Sequence, residues 1–329
     1  MMYDLSKMTG ATQGTIDVHA HYTTARYRSE AEAAGHVHPD GFPTLPEWES
    51  GVAIDQMDRI GVATAMLSVS SPGVNFGDAA AAGELARHVN DFGAAAVAGH
   101  PGRFGLFASL PLPDVDSSLV ELERAFEELD ADGVVLMTNA TGTYLGDPVL
   151  EPLFAELNRR AAAVFIHPTS PCGWEHTALG YPRPMIEFAF DTTRAVSNLI
   201  LRGVRKRHPN MEVIVPHAGG ALPVLADRVA GMAEVVPGLS SDVSGAEVTG
   251  ALRSFWYDLA GFVTPRQLPA LLELVEADRL LYGSDWPFTP DPVVEALSRA
   301  LAGTDALGPE ELAAVRRDNA LRLFPRLQA

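Results

Sequence analysis

The feature that most restricts the fold is a long alternation in which short β-rich runs are separated by helical stretches along almost the whole chain. Candidate strands lie at 16–19, 63–68, 104–110, 133–137, 164–167, 212–216, 255–258 and 280–282. Between them are Ala-rich or amphipathic segments such as SSLVELERAFEELD, EPLFAELNRR and TPRQLPALLELVEA. Eight strands separated by helices predict a (β/α)8 barrel of the TIM type rather than an open doubly wound sheet. Two further helical segments, around DPVVEALSRALAG and PEELAAVRRDNALRLF, would close and cap the outer ring. A length of 329 residues suits one barrel, and no repeat or linker divides it, so residues 1–329 read as one unit.

Two stretches interrupt the alternation. Residues 22–50, after the first strand, are polar and contain HVHPDGFPTLPEWES; residues 168–184, after the fifth, are rich in Pro and Gly. Both leave the C-terminal end of a predicted strand, the face on which barrel enzymes assemble their sites. Loops of this length in compact domains are usually lids or binding loops.

Composition narrows the function classes. With 47% hydrophobic and 20% charged residues, the chain has ample material for a core. A net charge of −18 opposes non-specific binding to nucleic acid or anionic membranes, which needs a basic face. No apolar run reaches spanning length, and the N-terminal MMYDLSKMTGATQG lacks the apolar stretch of a signal peptide. The one cysteine, Cys172, rules out an internal disulfide and any multi-cysteine metal site. The expectation is a soluble, cytoplasmic protein with neither nucleic acid nor membrane as partner.

The first strand ends TIDVHAHY, with His19 and His21 two residues apart. On a strand such residues share a face, so the imidazoles would converge. Strand five ends VFIHPTS with His167, strand six ends VIVPHAGG with His217, and strand eight ends LLYGSDWPF with Asp285. A lone histidine after an apolar strand is commonly a structural residue. Five such groups at strand exits are hard to ascribe to packing. Imidazole and carboxylate without thiolate suit zinc, manganese, iron or another divalent transition metal.

In their order and spacing, DVHAH, FIHP, PHAGGALP and YGSDWPF resemble the amidohydrolase superfamily. The closer resemblance is to its aminocarboxymuconate-semialdehyde decarboxylase-like branch, which includes γ-resorcylate, 6-methylsalicylate and 5-carboxyvanillate decarboxylases. The resemblance covers nearly the full chain. It implies a metal bound by His19, His21, His167 and Asp285, with His217 beside it as an acid/base or substrate-orienting residue. Asp285 would also carry the catalytic proton. Many hydrolytic members of that superfamily bridge two metals through a carboxylated lysine on strand four. Here Lys7 and Lys206 are the only lysines, and neither lies near 133–137. The expectation is therefore one divalent ion, zinc first and manganese as the alternative.

Arg228 follows His217 by eleven positions in HAGGALPVLADR. The resemblance implies that it crosses a subunit interface to meet the substrate carboxylate in the partner's site, and hence a homodimer or dimer of dimers. Guanidinium forks suit planar carboxylates. Trp174, after strand five, and Phe288, after strand eight, are placed to line a substrate pocket. His36, His38 and Arg26 on the first insertion and His176 on the second are further candidates, as is Trp286. Asn139, Thr141 and Thr143 read as turn residues, and His88, His100 and His208 as structural. The implied activity is metal-dependent, non-oxidative decarboxylation of an aromatic, salicylate-like or unsaturated carboxylic acid, a carbon–carbon lyase reaction. Metal-dependent hydrolysis of an amide, ester or lactone is the alternative. A non-catalytic binding barrel is disfavoured by the retention of all five site residues.

Overall fold

The computed structural model describes residues 14–236 and 243–328. Lys7 and the N-terminal segment read for a signal peptide lie outside the described residues. Eight strands form the barrel wall: β1 (Thr15–His21), β2 (Val62–Ser68), β3 (Phe104–Ser109), β4 (Gly133–Met137), β5 (Ala163–His167), β6 (Glu212–Val215), β7 (Trp256–Asp258) and β8 (Leu280–Leu281). Each pairs in parallel with its sequence neighbour, and helices lie between them. The seam between β8 and β1 is closed by backbone hydrogen bonds from residues at and just beyond β8. Val18 donates to Tyr282, Asp285 donates to the His19 carbonyl at 2.7 Å, and His21 donates to Trp286 at 2.8 Å. Closing the barrel thus lays Asp285 directly against His19 and His21.

Two apolar layers hold the wall. Inside, Ile16, Val18, Met66, Phe107, Phe165 and Ile214 fill the barrel, and Phe324 of the C-terminal helix plugs its base against Phe107. Outside, residues such as Leu85, Leu122, Phe154 and Leu199 bury the apolar stripes of the helices against the sheet. Local chemistry sets the helix starts: Asp114 accepts from the Ser117 amide to cap Val115–Glu127, and Asp78 does the same for Ala79–Gly99. The segments expected after strand eight form the helix Asp291–Ala302 and a run of short helices from Pro309 onwards.

The strand limits differ from expectation at the barrel seam. β1 continues to His21, because its last residues pair with β2 through Ser68. Tyr282 leaves the β8 ladder, because its amide donates to Val315 of the C-terminal region. The insertion at 22–50 also holds more structure than its polarity suggested. Thr24 caps a helix, Ala25–Ala33, whose charged surface hides a narrow inner face of Tyr27 and Ala31.

Candidate active site and metal centre

β1 carries a bulge: between Asp17 and Ala20 it advances three residues while β2 advances two. Ahead of the bulge, Ile16 and Val18 point into the barrel, while Asp17 lies in the outer layer beside Trp48 and Ala53. After it, His19 and His21 turn inward, His19 packing 4.8 Å from the Phe165 ring. A bulge re-aims side chains in this way.

Each histidine is fixed through its Nδ1, leaving Nε2 for the mouth. His19 Nδ1 lies 2.9 Å from Asp258 Oδ2, His21 Nδ1 lies 2.9 Å from Ser68 Oγ, and His167 Nδ1 lies 2.8 Å from the Pro168 carbonyl. A hydrogen-bonded Nδ1–H is the usual way of orienting a metal-ligating imidazole. His19 Nε2 and His21 Nε2 are buried without a hydrogen-bond partner, 3.5 and 3.2 Å from Asp285 Oδ1. Orphaned buried nitrogens are rare unless something ligates them. One donor atom from each of His19, His21, His167 and Asp285 lies within 4.8 Å of the others, which makes a metal-binding site. Three imidazoles and one carboxylate fit a single divalent transition metal. Lys206 pairs with Glu247 on the outer surface at 2.9 Å and supplies no bridge.

Asp258, the last residue of β7, has no surface exposure and was not singled out in the sequence. Beyond holding His19, its Oδ1 accepts from the backbone amides of His217 and Ala260, each at 3.0 Å. One carboxylate therefore sets both a ligand and the turn bearing His217. The only signal was an acid closing the predicted strand FWYD. Asp17 acts similarly, its Oδ1 accepting from His19 N and Ser284 N, each at 3.0 Å. Burial pushes Asp17 up to about 7 despite those bonds.

The electrostatics divide the cluster. Burial lowers His21 and, with neighbouring His21 and His19, lowers His167 further, so both stand neutral and ready to ligate. Burial also opposes charge on His19, but Asp258 and then Asp285 outweigh it, raising His19 to about 10 in the metal-free chain. Burial would raise Asp285, yet the imidazoles of His19, His21 and His217 beside it hold it well below the usual carboxylate range.

His217 sits at the rim, on a tight turn with φ of 53° at His217 and 52° at Ala218. Its Nε2 is 3.6 Å from Asp285 Oδ2, while the four-donor group excludes it. The following Gly220, φ 60°, brings its Cα against the Ala189 carbonyl, where a side chain would meet that oxygen at 2.4 Å. The HAGG run is the local price of aiming His217 at the mouth.

The remaining candidates separate. Phe288 lies edge-on to His21 at 5.4 Å, and Trp174 lines a cavity of about 770 Å³ beside the cluster. His36, His38, Asn139 and Thr141 line the same cavity. Arg26 instead pairs with Glu30 on the exposed helix, and His176 is exposed away from the cavity wall. Trp286 is structural, its indole donating to Asp291 at 2.8 Å. His88, His100 and His208 bind Thr24, Ser50 and Glu151. Arg228 lies exposed on the helix Leu222–Val235 with no hydrogen bond or ion pair among the described residues.

Known proteins resemble this chain in sequence and fold. A 6-methylsalicylic acid decarboxylase of Penicillium expansum is 36% identical over 320 residues, covering 95% of this chain and 97% of the relative. A crystal structure described as amidohydrolase II superposes with a TM-score of 0.86 at 36% identity, over 96% of this chain and 100% of the other. A dihydroxybenzoic acid decarboxylase from Polaromonas, with bound manganese and the inhibitor 2-nitroresorcinol, has the same fold, with a TM-score of 0.82 at 24% identity over 96% of this chain and 98% of that one. The amidohydrolase family matches residues 16–326, from the first strand to the C-terminal turn, and the chain belongs to that family.

Proposed function

We propose that this protein is a metal-dependent, non-oxidative decarboxylase of an aromatic, salicylate-like carboxylic acid, a carboxy-lyase. The observation that carries the reading is the mononuclear three-histidine, one-aspartate donor set with His217 at its edge, in a chain similar over nearly its full length to a 6-methylsalicylic acid decarboxylase. Zinc is the ion we assign, with manganese as the alternative. When bound, the metal supplies Lewis acidity and a template for the substrate carboxylate and its neighbouring phenolic oxygen.

The chain's own residues handle the proton. Asp285 starts ionised, since its histidine neighbours keep its carboxyl well below the usual range. It accepts the phenolic proton as the substrate seats and delivers it to the ring carbon that bears the carboxylate. The bond from that carbon to the carboxylate then breaks, its electron pair restores the aromatic ring, and CO2 leaves. His217, 3.6 Å from the outer Asp285 oxygen, orients the substrate or relays that proton. Phe288 and Trp174 supply aromatic walls for the ring.

Arg228 belongs to the same reading. Val224, Met232 and Val235 are 73%, 41% and 69% exposed on the Arg228 face of its helix, an apolar stripe with a cation in its middle. Such a stripe supports a homodimer in which Arg228 reaches the carboxylate in the partner's site. A cytoplasmic setting completes the proposal.

The test is incubation of the metal-loaded protein with 6-methylsalicylate and 2,6-dihydroxybenzoate. Release of bicarbonate with the matching phenol is expected, and it should stop on metal removal. Hydrolysis of an ester, amide or lactone panel without CO2 release would overturn decarboxylation in favour of the family's hydrolytic chemistry. Asp285→Asn, which keeps its shape but cannot carry the proton, should abolish turnover while retaining some metal.

A further inference from the structure

The cavity beside the cluster measures about 770 Å³, in the upper part of the range of roughly 300–1,000 Å³ spanned by small-molecule sites. It approaches the metal centre through Thr169, two positions past His167, and Met137, paired with His167 across β4 and β5; none of the four donors lines it. A bare benzoate held at the metal would leave much of this space to water.

One arginine stands in its wall, Arg183 of the second insertion. The guanidinium lies over Trp174, 4.0 Å from the ring centroid. Its Nε donates to Ser170 Oγ at 3.1 Å, and Nη2 reaches the His38 carbonyl at 3.5 Å. It makes no direct ion pair among the described residues; Asp40 is one link away, accepting from Ser170 Oγ at 2.5 Å. An arginine carries five N–H donors, so most of the fork remains available. With the reacting carboxylate held at the metal, a donor in this wall is available to a part of the substrate away from that carboxylate.

We propose that Arg183 is a specificity-determining residue, donating to a neutral oxygen substituent, a hydroxyl or keto group, on the part of the aromatic acid remote from the reacting carboxylate; this rests on the decarboxylase reading above. The charge balance of the wall selects neutral over anionic. Asp40 and Glu175 stand against the single guanidinium. His36 adds no compensating charge, since burial holds it below its ordinary value. A second full anion would meet net negative charge, whereas a neutral acceptor takes the donors without that repulsion.

The experiment measures kcat/KM and calorimetric affinity for two salicylate series, one with distal hydroxyl or acetyl groups and one with matching methyl or ethyl groups. Arg183→Met should lower both quantities for the oxygenated series by roughly ten- to a hundredfold, the span of a lost charged hydrogen bond. The alkyl series should move less than about threefold. Arg183→Gln serves as the second variant if Arg183→Met does not fold, and should show the same selectivity. Equal loss in both series would make Arg183 a mere brace between the insertions and overturn the proposal, as would no loss in either. A salicylate with a distal second carboxylate should bind the native protein more weakly than its hydroxyl counterpart; tighter binding overturns the neutral-acceptor assignment. If the oxygenated acids bind with this selectivity yet release no CO2, Arg183 keeps its role and the decarboxylase reading fails. If CO2 is released without the selectivity, only the Arg183 proposal fails.

Discussion

His167 closes β5 and Arg228 lies on the helix after β6, yet the fold holds them in opposite ways. His167 is 2% exposed, with its ring locked by the Pro168 carbonyl and three other donors around it. Arg228 stands in solvent on a helix face, without a partner among the described residues. The buried donors come from one chain: His19 and His21 are oriented by Asp258 and Ser68 of other strands, and His167 by the adjacent Pro168 carbonyl. The exposed stripe has nothing packed on it among the described residues. Buried donors therefore report on chemistry local to the chain, and the exposed stripe is where the homodimer proposed above is tested.

The largest expected effect breaks the buried side of the comparison. His19→Ala or His167→Ala removes one of four donors, so metal content and activity should fall together to background, measured by elemental analysis beside turnover. Full metal occupancy in both variants would refute the ligand set. His217→Ala comes next: metal content near normal, with turnover down by ~10²–10⁴-fold, the usual worth of a general acid/base. A metal-free His217→Ala protein would make that residue a ligand.

Asp258→Asn tests whether buried orientation matters as much as ligation. It leaves the donors in place but weakens the charge behind His19 and the His217 turn. Metal affinity should drop about 10–100-fold, as for other partners of ligating histidines; an unchanged affinity in competition with a chelator would show that the ring needs no such support. On the exposed side, Arg228→Ala should leave metal bound and raise KM for a carboxylate substrate by on the order of ten- to a hundredfold. Mixing Arg228→Ala with His217→Ala under subunit exchange should restore part of the activity, since one mixed site then carries both defects and the other neither. No recovery despite proven exchange would return Arg228 to its own subunit or to no role.

The smallest effect is a proton count. His19 in the metal-free protein stays protonated up to about pH 10, above its ordinary 6.5. That interaction stabilises the metal-free fold fully below pH 6.5 and is lost as pH rises through 10. Metal capture near neutrality must expel this proton, so affinity should rise with pH and about one proton should leave per site. Calorimetry in buffers of different ionisation enthalpy reads that number, and zero would show His19 already neutral.

The alternation of apolar runs and helices was enough for the barrel, because each strand and helix announces itself through local periodicity. The ligands were legible for the same reason: His19, His21, His167 and Asp285 sit at or just past strand ends, and a parallel barrel brings all such ends to one face. What remained hidden depends on contacts between distant parts of the chain. Asp258 acquires its role only by meeting His19, 239 positions away, when β1 and β7 share the barrel. Asp40 and Ser170 are 130 positions apart, and nothing near either residue signals that two insertions will meet there to carry Arg183. The bulge that turns His19 and His21 inward likewise depends on the register of β1 against β2. Spacing along the chain determined which chemistry this protein carries. Closure of the barrel decided which side chains orient it and what shape of acid can approach, because burial and hydrogen-bond partners exist only once remote strands and loops are packed together.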